Sequence, residues 1–335
     1  MRTEFVSVVN RVLLLSVILV VLLIAISLLA VSTGSSGSNF SEVLNLLSGA
    51  GDRDSTAHAI LFQIRLPRVI LAAAVGATLA LGGLVFQCLL RNPLAEPYIL
   101  GISGGSAVGA IIGILLNLAL FPGVSLFAFG GSIITLTLVL TLAAGNITIR
   151  KDSLLLGGVM MNAFCGAIIM FLISMTQSSQ VHHILFWLMG DLSMFTNQQL
   201  PILFGVLPSF IIICYLARPM NLLLMGRETA ATMGINVRAV TMTLLIATSF
   251  MVSIVVCQSG LVGFVGLVIP HVFRLMFGPD HRLLAPACIL GGGAYLILCD
   301  VLARTIPAQG EMPVGIVTAL IGAPLFIILL RREKQ

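Results

Sequence analysis

The sequence predicts an all-α integral membrane protein of about ten transmembrane helices, and three observations predict it. Hydrophobic residues make up 59% of the 335 residues and charged residues 9%, where a soluble domain carries about 45–50% and about 25%. Mean hydropathy is +1.14, so a water-facing surface could not be clothed in polar groups. Apolar runs of about 20 residues, the length that crosses the hydrocarbon core, recur along the whole chain. A soluble enzyme, a disordered tail and a nucleic-acid module are excluded. The net charge of +5 reads as membrane topology, because basic residues gather in cytoplasmic loops.

The spans are expected at residues 12–32, 68–90, 96–118, 124–145, 153–175, 199–217, 239–257, 260–277, 284–303 and 313–330. The first follows Arg2 and Arg11 and exceeds the about 7–15 residues of a signal h-region, with no A-x-A site behind it, so it is expected to stay as a span. Gly82-Gly83, Gly104-Gly105 and the Gly291–Gly293 run let helix backbones approach closely in lipid. Pro270 is tolerated where neighbouring groups satisfy the freed backbone.

With N- and C-termini inside, the cytoplasmic basic residues are Arg2, Arg11, Arg91, Arg150, Lys151, Arg218, Arg227, Arg238, Arg274, Arg282, Arg331, Arg332 and Lys334. Only Arg53, Arg65, Arg68 and Arg304 fall outside, as the positive-inside rule requires. The chain is one transmembrane domain, 1–335, with external segments at about 33–67 and 176–198 and an internal interruption at 218–238.

Its chemistry is sparse. Lys151 and Lys334 are followed by Asp152 and Gln335, so no P-loop can form; ATP-driven transport would need the nucleotide and magnesium on a partner. Ion-coupled carriers keep ionisable groups deep in the membrane. Here Glu96, Asp152 and Asp300 lie near span ends, and Asp300 is one helical turn from Arg304, fit for a local pair. An ion-coupled secondary transporter is therefore the disfavoured alternative. There is no HExxH and no P-loop, so the chain is not read as an enzyme. Cys88, Cys165, Cys214, Cys257, Cys288 and Cys299 sit in apolar runs without CxxC spacing and read as buried thiols; no metal site or cofactor is expected on this chain. His182 and His183 are adjacent and diverge on a helix, so they are not expected to share one ion. The 218–238 segment, with Gly226 and Gly234 bracketing Arg227 to Met233, reads as a helix-capable docking piece for a cytoplasmic partner.

A set of ordered strings then carries a resemblance: Arg65-Leu-Pro-Arg68, Arg91-Asn-Pro-Leu-Ala-Glu-Pro97, Leu100-Gly-Ile-Ser-Gly-Gly105, Leu154-Leu-Leu-Gly-Gly-Val159 and Trp187-Leu-Met-Gly190. They continue with Gly226-Arg-Glu-Thr-Ala230, Gly263-Phe-Val-Gly-Leu-Val-Ile-Pro-His271, Gly278-Pro-Asp-His-Arg282, Asp300-Val-Leu-Ala-Arg304 and the run Pro313 to Pro324. The chain resembles the permease subunits of ABC importers for iron-siderophores, haem and cobalamin. That resemblance implies the type II ABC importer permease fold in the bacterial cytoplasmic (inner) membrane. It implies a second permease subunit, in a homodimer, with two cytoplasmic ATPase subunits below and an external substrate-binding protein above. By family frequency the substrate would be a ferric siderophore, then haem, then cobalamin, moved by alternating access.

Residue by residue, the resemblance implies an inner gate at Asn92 and Leu94 and a path lined by Gly158, Asn162 and Trp187. ATPase coupling falls to 219–236, with Gly226, Arg227, Glu228, Thr229, Ala230 and Gly234. Arg65, Arg68 and Arg304 would meet acidic residues of the binding protein. Arg227 departs from the family, where acidic or polar residues are frequent.

Overall fold

Residues 2–33, 45–46, 55–143, 151–307 and 310–332 are described by the computed structural model. Arg53, Arg150 and Lys334, three of the residues used to orient the chain, lie outside them. Among the described residues there is no strand. Seven helices are long and apolar enough to cross a membrane: Asn10–Ser32, Thr56–Leu90, Leu120–Ala143, Asp152–Ser174, Asn197–Tyr215, Val237–Ser259 and His281–Thr305. Three shorter apolar helices, Ile102–Leu115, Val265–Phe277 and Val314–Leu329, complete the set, and each helix overlies one expected span.

In chain order we label α1 (Arg2–Ser32), α2 (Thr56–Leu90), α3 (Ile102–Leu115), α4 (Ser125–Ala143), α5 (Lys151–Ser174), α6 (Ser178–Leu188) and α7 (Leu207–Tyr215). Then come α8 (Ala217–Met225), α9 (Arg227–Thr232), α10 (Val237–Ser259), α11 (Val265–Phe277), α12 (His281–Thr305) and α13 (Val314–Arg332).

The centre is α2. Its most apolar window is 83% buried, against 11% for α5 and 6% for α1, so α2 is the post around which the others stand. Lipid is as apolar as leucine, so close packing must hold helices together, and α2 achieves it with glycine. A side chain at Gly76 would overlap the carbonyl of Gly292 on α12, and one at Gly83 would overlap that of Gly266 on α11. Gln87, a turn beyond Gly83, donates to the Gly266 carbonyl at 3.1 Å and accepts from Arg274 at 2.9 Å. The inner half of the α2–α11 contact is thereby closed by hydrogen bonds as well as by contact.

Three spans differ from the sequence expectation. α2 begins at Thr56, about twelve residues before the expected start; at 35 residues and ~1.5 Å per residue it is ~50 Å long, longer than the hydrocarbon core of about 30 Å. The end of the 33–67 segment is thus helix, with a π-helical stretch at Ile60–Arg65. The 96–118 span is broken into a 3-10 turn, Pro97–Leu100, and α3, with Gly101 between them at φ 76°. The span at 199–217 is assembled from short pieces, where Pro201 and Pro208 each remove a backbone donor.

Two substitutions test this packing. Gly83→Val should lower the detergent-solubilised unfolding midpoint sharply, since overpacking costs about 1–3 kcal/mol or more. Gly130→Ala on α4, where an added Cβ meets nothing within 4 Å, should leave it unchanged or slightly raised.

Candidate functional site

Two polar clusters, one at each end of the bundle, and an apolar helix face between them make up the candidate site. At the end that the charge distribution assigns to the inside, α2 stops at Arg91, which takes the left-handed conformation at φ 51°. The chain reverses there: the Asn92 amide bonds back to Gln87 at 3.2 Å, and the Asn92 side-chain oxygen accepts from the Leu94 amide at 2.9 Å. This Asx turn leaves Pro93 and Leu94 exposed, the latter by 49%.

Facing that turn are α8 and α9. Gly226 at φ 133° separates them and Gly234 at φ 83° ends the pair, conformations that only glycine adopts without strain. α8 is fastened on two sides. Arg91 donates to the Leu223 carbonyl at 2.6 Å, and the Cys88 thiol approaches the Met220 carbonyl at 3.4 Å. On the other side Asn221 donates to Asp280 at 2.7 Å and accepts from the His281 amide at 2.9 Å. Burial pushes the Asp280 carboxyl up, but bonds from Arg282 and Asn221 outweigh it and hold it at about 2, below the ordinary 3.8. Its stabilisation is therefore present above about pH 4 and lost as pH falls through about 2; the α8–α12 seam is intact at neutral pH. Arg91, Asp152, Met225, Gly226, Arg227, Glu228 and Thr229 line an open cleft of about 620 Å³. The end of α2, the start of α5 and α9 meet in it.

Midway, two non-helical segments pack on each other. The Tyr98 hydroxyl donates to the Val262 carbonyl at 3.1 Å and accepts from the Val262 amide at 3.2 Å. Asn162 of α5 donates to the Tyr98 carbonyl at 3.0 Å. The face of α5 turned away from the chain carries Leu156, Met160, Phe164, Ala167, Met170 and Phe171, with no charge.

At the outer end Arg68 pairs with Asp300 at 2.9 Å and also with Glu311, and Arg304 pairs with Asp300 at 3.1 Å. Arg65 donates to the Val31 carbonyl at 2.8 Å, and Arg304 to those of Thr33 and Ala30 at 3.3 and 3.2 Å. Two guanidiniums thus cap the C-terminal end of α1, where cations are favoured. Separately, α6 closes a cavity of about 200 Å³ whose lining includes His182, His183, Phe186, Trp187, Asp191 and Gln258. The two histidine rings lie 6.2 Å apart at 75°, and His182 packs on Phe186 at 4.4 Å.

Comparison with known proteins places this arrangement. A family model described as the FecCD transport family matches residues 19–332. The chain belongs to the FecCD transport family. It is 39% identical over 277 residues to the vitamin B12 import system permease protein BtuC of Salmonella typhi, covering 82% of this chain and 84% of that one. It is 42% identical over 281 residues to the cobalamin import system permease protein BtuC of Halobacterium salinarum, covering 83% and 75%. The solved structure of a metal-chelate type ABC transporter in an inward-facing conformation superposes with a TM-score of 0.84 at 30% identity, over 95% of this chain and 98% of that one. This FecCD protein is accordingly a multi-pass permease of the cytoplasmic membrane.

Within the family frame, the residues expected from the sequence to carry the site fall as follows. Asn92, Leu94, Gly226, Arg227, Glu228 and Thr229 gather at one end; Ala230 is buried beneath α9 and Gly234 closes it. Trp187 lines the outer cavity. Gly158 and Asn162 do not lie on the open face of α5. A Cβ at Gly158 would overlap the Ile99 carbonyl, and the Asn162 amide is spent on Tyr98; both serve packing within the subunit. Arg65, Arg68 and Arg304 are turned inward, their bonds running within the chain. Contact with an external partner would require that network to open, since Asp300 is fully buried.

Tyr98, Asn221, Gln87 and Glu311 were missed by sequence reasoning. Only Glu311 had a signal, an acid near an excess of external arginines.

Asp300→Asn should destabilise the fold by about 3–5 kcal/mol, because it strands buried guanidiniums. Glu311→Gln, at an exposed partner, should cost no more than about 1 kcal/mol. Thermal unfolding of the two purified variants checks the contrast.

Proposed function

We propose that the chain is the membrane-spanning subunit of an ATP-driven importer that carries a metal chelate by alternating access. The observation that carries this reading is the inner cleft: Arg91, which opens the Asn92–Leu94 turn, the start of α5 at Asp152 and the α8–α9 junction share one small space. A cytoplasmic partner pressing on α9 would reach the turn and the path helix together. Two ATPase subunits holding ATP and magnesium, a second copy of this chain and an external binding protein complete the assembly.

In such a dimer the uncharged stripe of α5, rather than Gly158 and Asn162, would face the substrate. A wall of Leu, Met and Phe without charge holds no chelate tightly, which suits a conduit emptied by conformational change. The cobalamin permeases among its relatives move a corrinoid ahead of ferric siderophore and haem as the substrate. An ion-coupled carrier is disfavoured on structural grounds as well. Asp300, the fully buried carboxylate among the described residues, is paired with Arg68 and Arg304, so it is poorly placed to exchange protons.

Reconstitution with the ATPase and binding protein, followed by uptake of cobalamin, haem and a ferric siderophore, tests the reading. ATP-dependent cobalamin uptake is expected; uptake driven by an ion gradient without ATPase would overturn it. Glu228→Lys and Ala230→Asp should lower substrate moved per ATP by about 5–150-fold, the span of a coupling energy of about 1–3 kcal/mol, while the chain stays folded. Leu94→Cys should cross-link between two copies in the closed state. Normal transport in both α9 variants would remove the coupling assignment, and absence of the cross-link in every nucleotide state would remove the gate.

A further inference from the structure

Arg91 belongs to two pieces of the inner end at once. Its backbone starts the turn: the left-handed φ of 51° ends α2 and leads into the exposed Asn92–Leu94 turn. Its side chain belongs to α8, where Nη2 donates to the Leu223 carbonyl at 2.6 Å. Leu223 is in the last turn of α8, whose carbonyls have no helical donor, and the break at Gly226 (φ 133°) stops the helix from supplying one. A guanidinium there gains from both the orphan acceptor and the helix dipole.

The other fastenings of α8 lead elsewhere. Asn221 ties it to Asp280 and His281 at the start of α12, and Cys88 touches Met220 from within α2. Force along those routes must tilt α2 or α12 whole, and these two are locked together at Gly76 and Gly292. Of the contacts just described, the Arg91 bond is the one that originates at the Asn92–Leu94 turn, three residues from the exposed Leu94.

We propose that Arg91 is a positioning residue: its side chain is the tether through which displacement of α8 and α9 moves the Asn92–Leu94 turn. This rests on the importer reading above. The motion needs no new contact, because the charge-assisted bond to Leu223 exists before any partner binds, and the Asx turn makes Asn92 to Leu94 move as a unit.

The test uses the full importer, permease with its ATPase and binding protein in lipid nanodiscs. The exposed Cys214 is replaced by serine, the other cysteines being buried. A single cysteine is then placed either at Leu94 or at Thr232, on the exposed side of α9. Its rate of thiol modification is measured with and without ATP, beside substrate moved per ATP. Arg91→Gly keeps the left-handed turn, which glycine adopts freely, and removes only the side chain. Arg91→Lys keeps a cation able to donate to the same carbonyl.

In Arg91→Gly the Thr232 site should respond to ATP as in the parent. The Leu94 site should lose its nucleotide response, and substrate moved per ATP should fall about tenfold, the scale of one charge-assisted hydrogen bond. Arg91→Lys should restore a substantial part of both. A Leu94 response in Arg91→Gly equal to the parent's overturns the tether while leaving the importer reading intact. A Thr232 site indifferent to ATP in the parent overturns the coupling role of α9, and the tether with it.

Discussion

Every backbone amide and carbonyl of this chain that lies at membrane depth must find its partner inside the protein, because lipid offers none. Helices meet that demand by themselves. The breaks at Pro97–Gly101 and Gly260–Phe264 do not, and the structure solves the two problems against each other. One tyrosine hydroxyl serves both backbone groups of Val262, and one asparagine amide from α5 serves the carbonyl of that same tyrosine. The consequence reaches far along the chain: α3, α5 and the α10–α11 connection are fixed relative to one another by a few bonds, and α5 is oriented so that its uncharged stripe turns outward.

The outer end is governed by a second constraint, the cost of burying charge. Three arginines are gathered around Asp300, Glu311 and the carbonyl end of α1. Asp300 and Glu311 leave one positive charge over, and the helix terminus accepts it. The cluster fastens α1 to α2 and α12 at the point where lipid-facing packing is weakest, since α1 is almost wholly exposed.

At the inner end the polar groups are arranged for communication as well as closure. α8 is held to the central post and to α12, while α9 follows the break at Gly226 and shares a cleft with Arg91 and the start of α5. A family of transport permeases needs a surface where a cytoplasmic motor can push and a nearby segment that can yield. α8, fastened on two sides, the break at Gly226 and the exposed Leu94 are the parts this chain offers for those roles.

The sequence by itself determined what local composition can determine. Runs of apolar residues place the ten apolar helices, glycine doublets mark the tight contacts of Gly83 and Gly292, and the missing lysine of a P-loop sends any nucleotide to a partner. The Gly226 and Gly234 brackets announced α9. Tertiary structure alone decided which way each helix turns. In water an amphipathic stripe tells the core face from the solvent face, but α5 is apolar all round, so nothing in its periodicity says that Gly158 and Asn162 pack inward while Met160 and Phe164 face out. Nor could local spacing show that Arg68 finds Asp300 and Glu311, more than two hundred residues away in sequence. Burial of a charge is settled by which distant carboxylate the fold brings beside it, and that is a property of the assembled bundle.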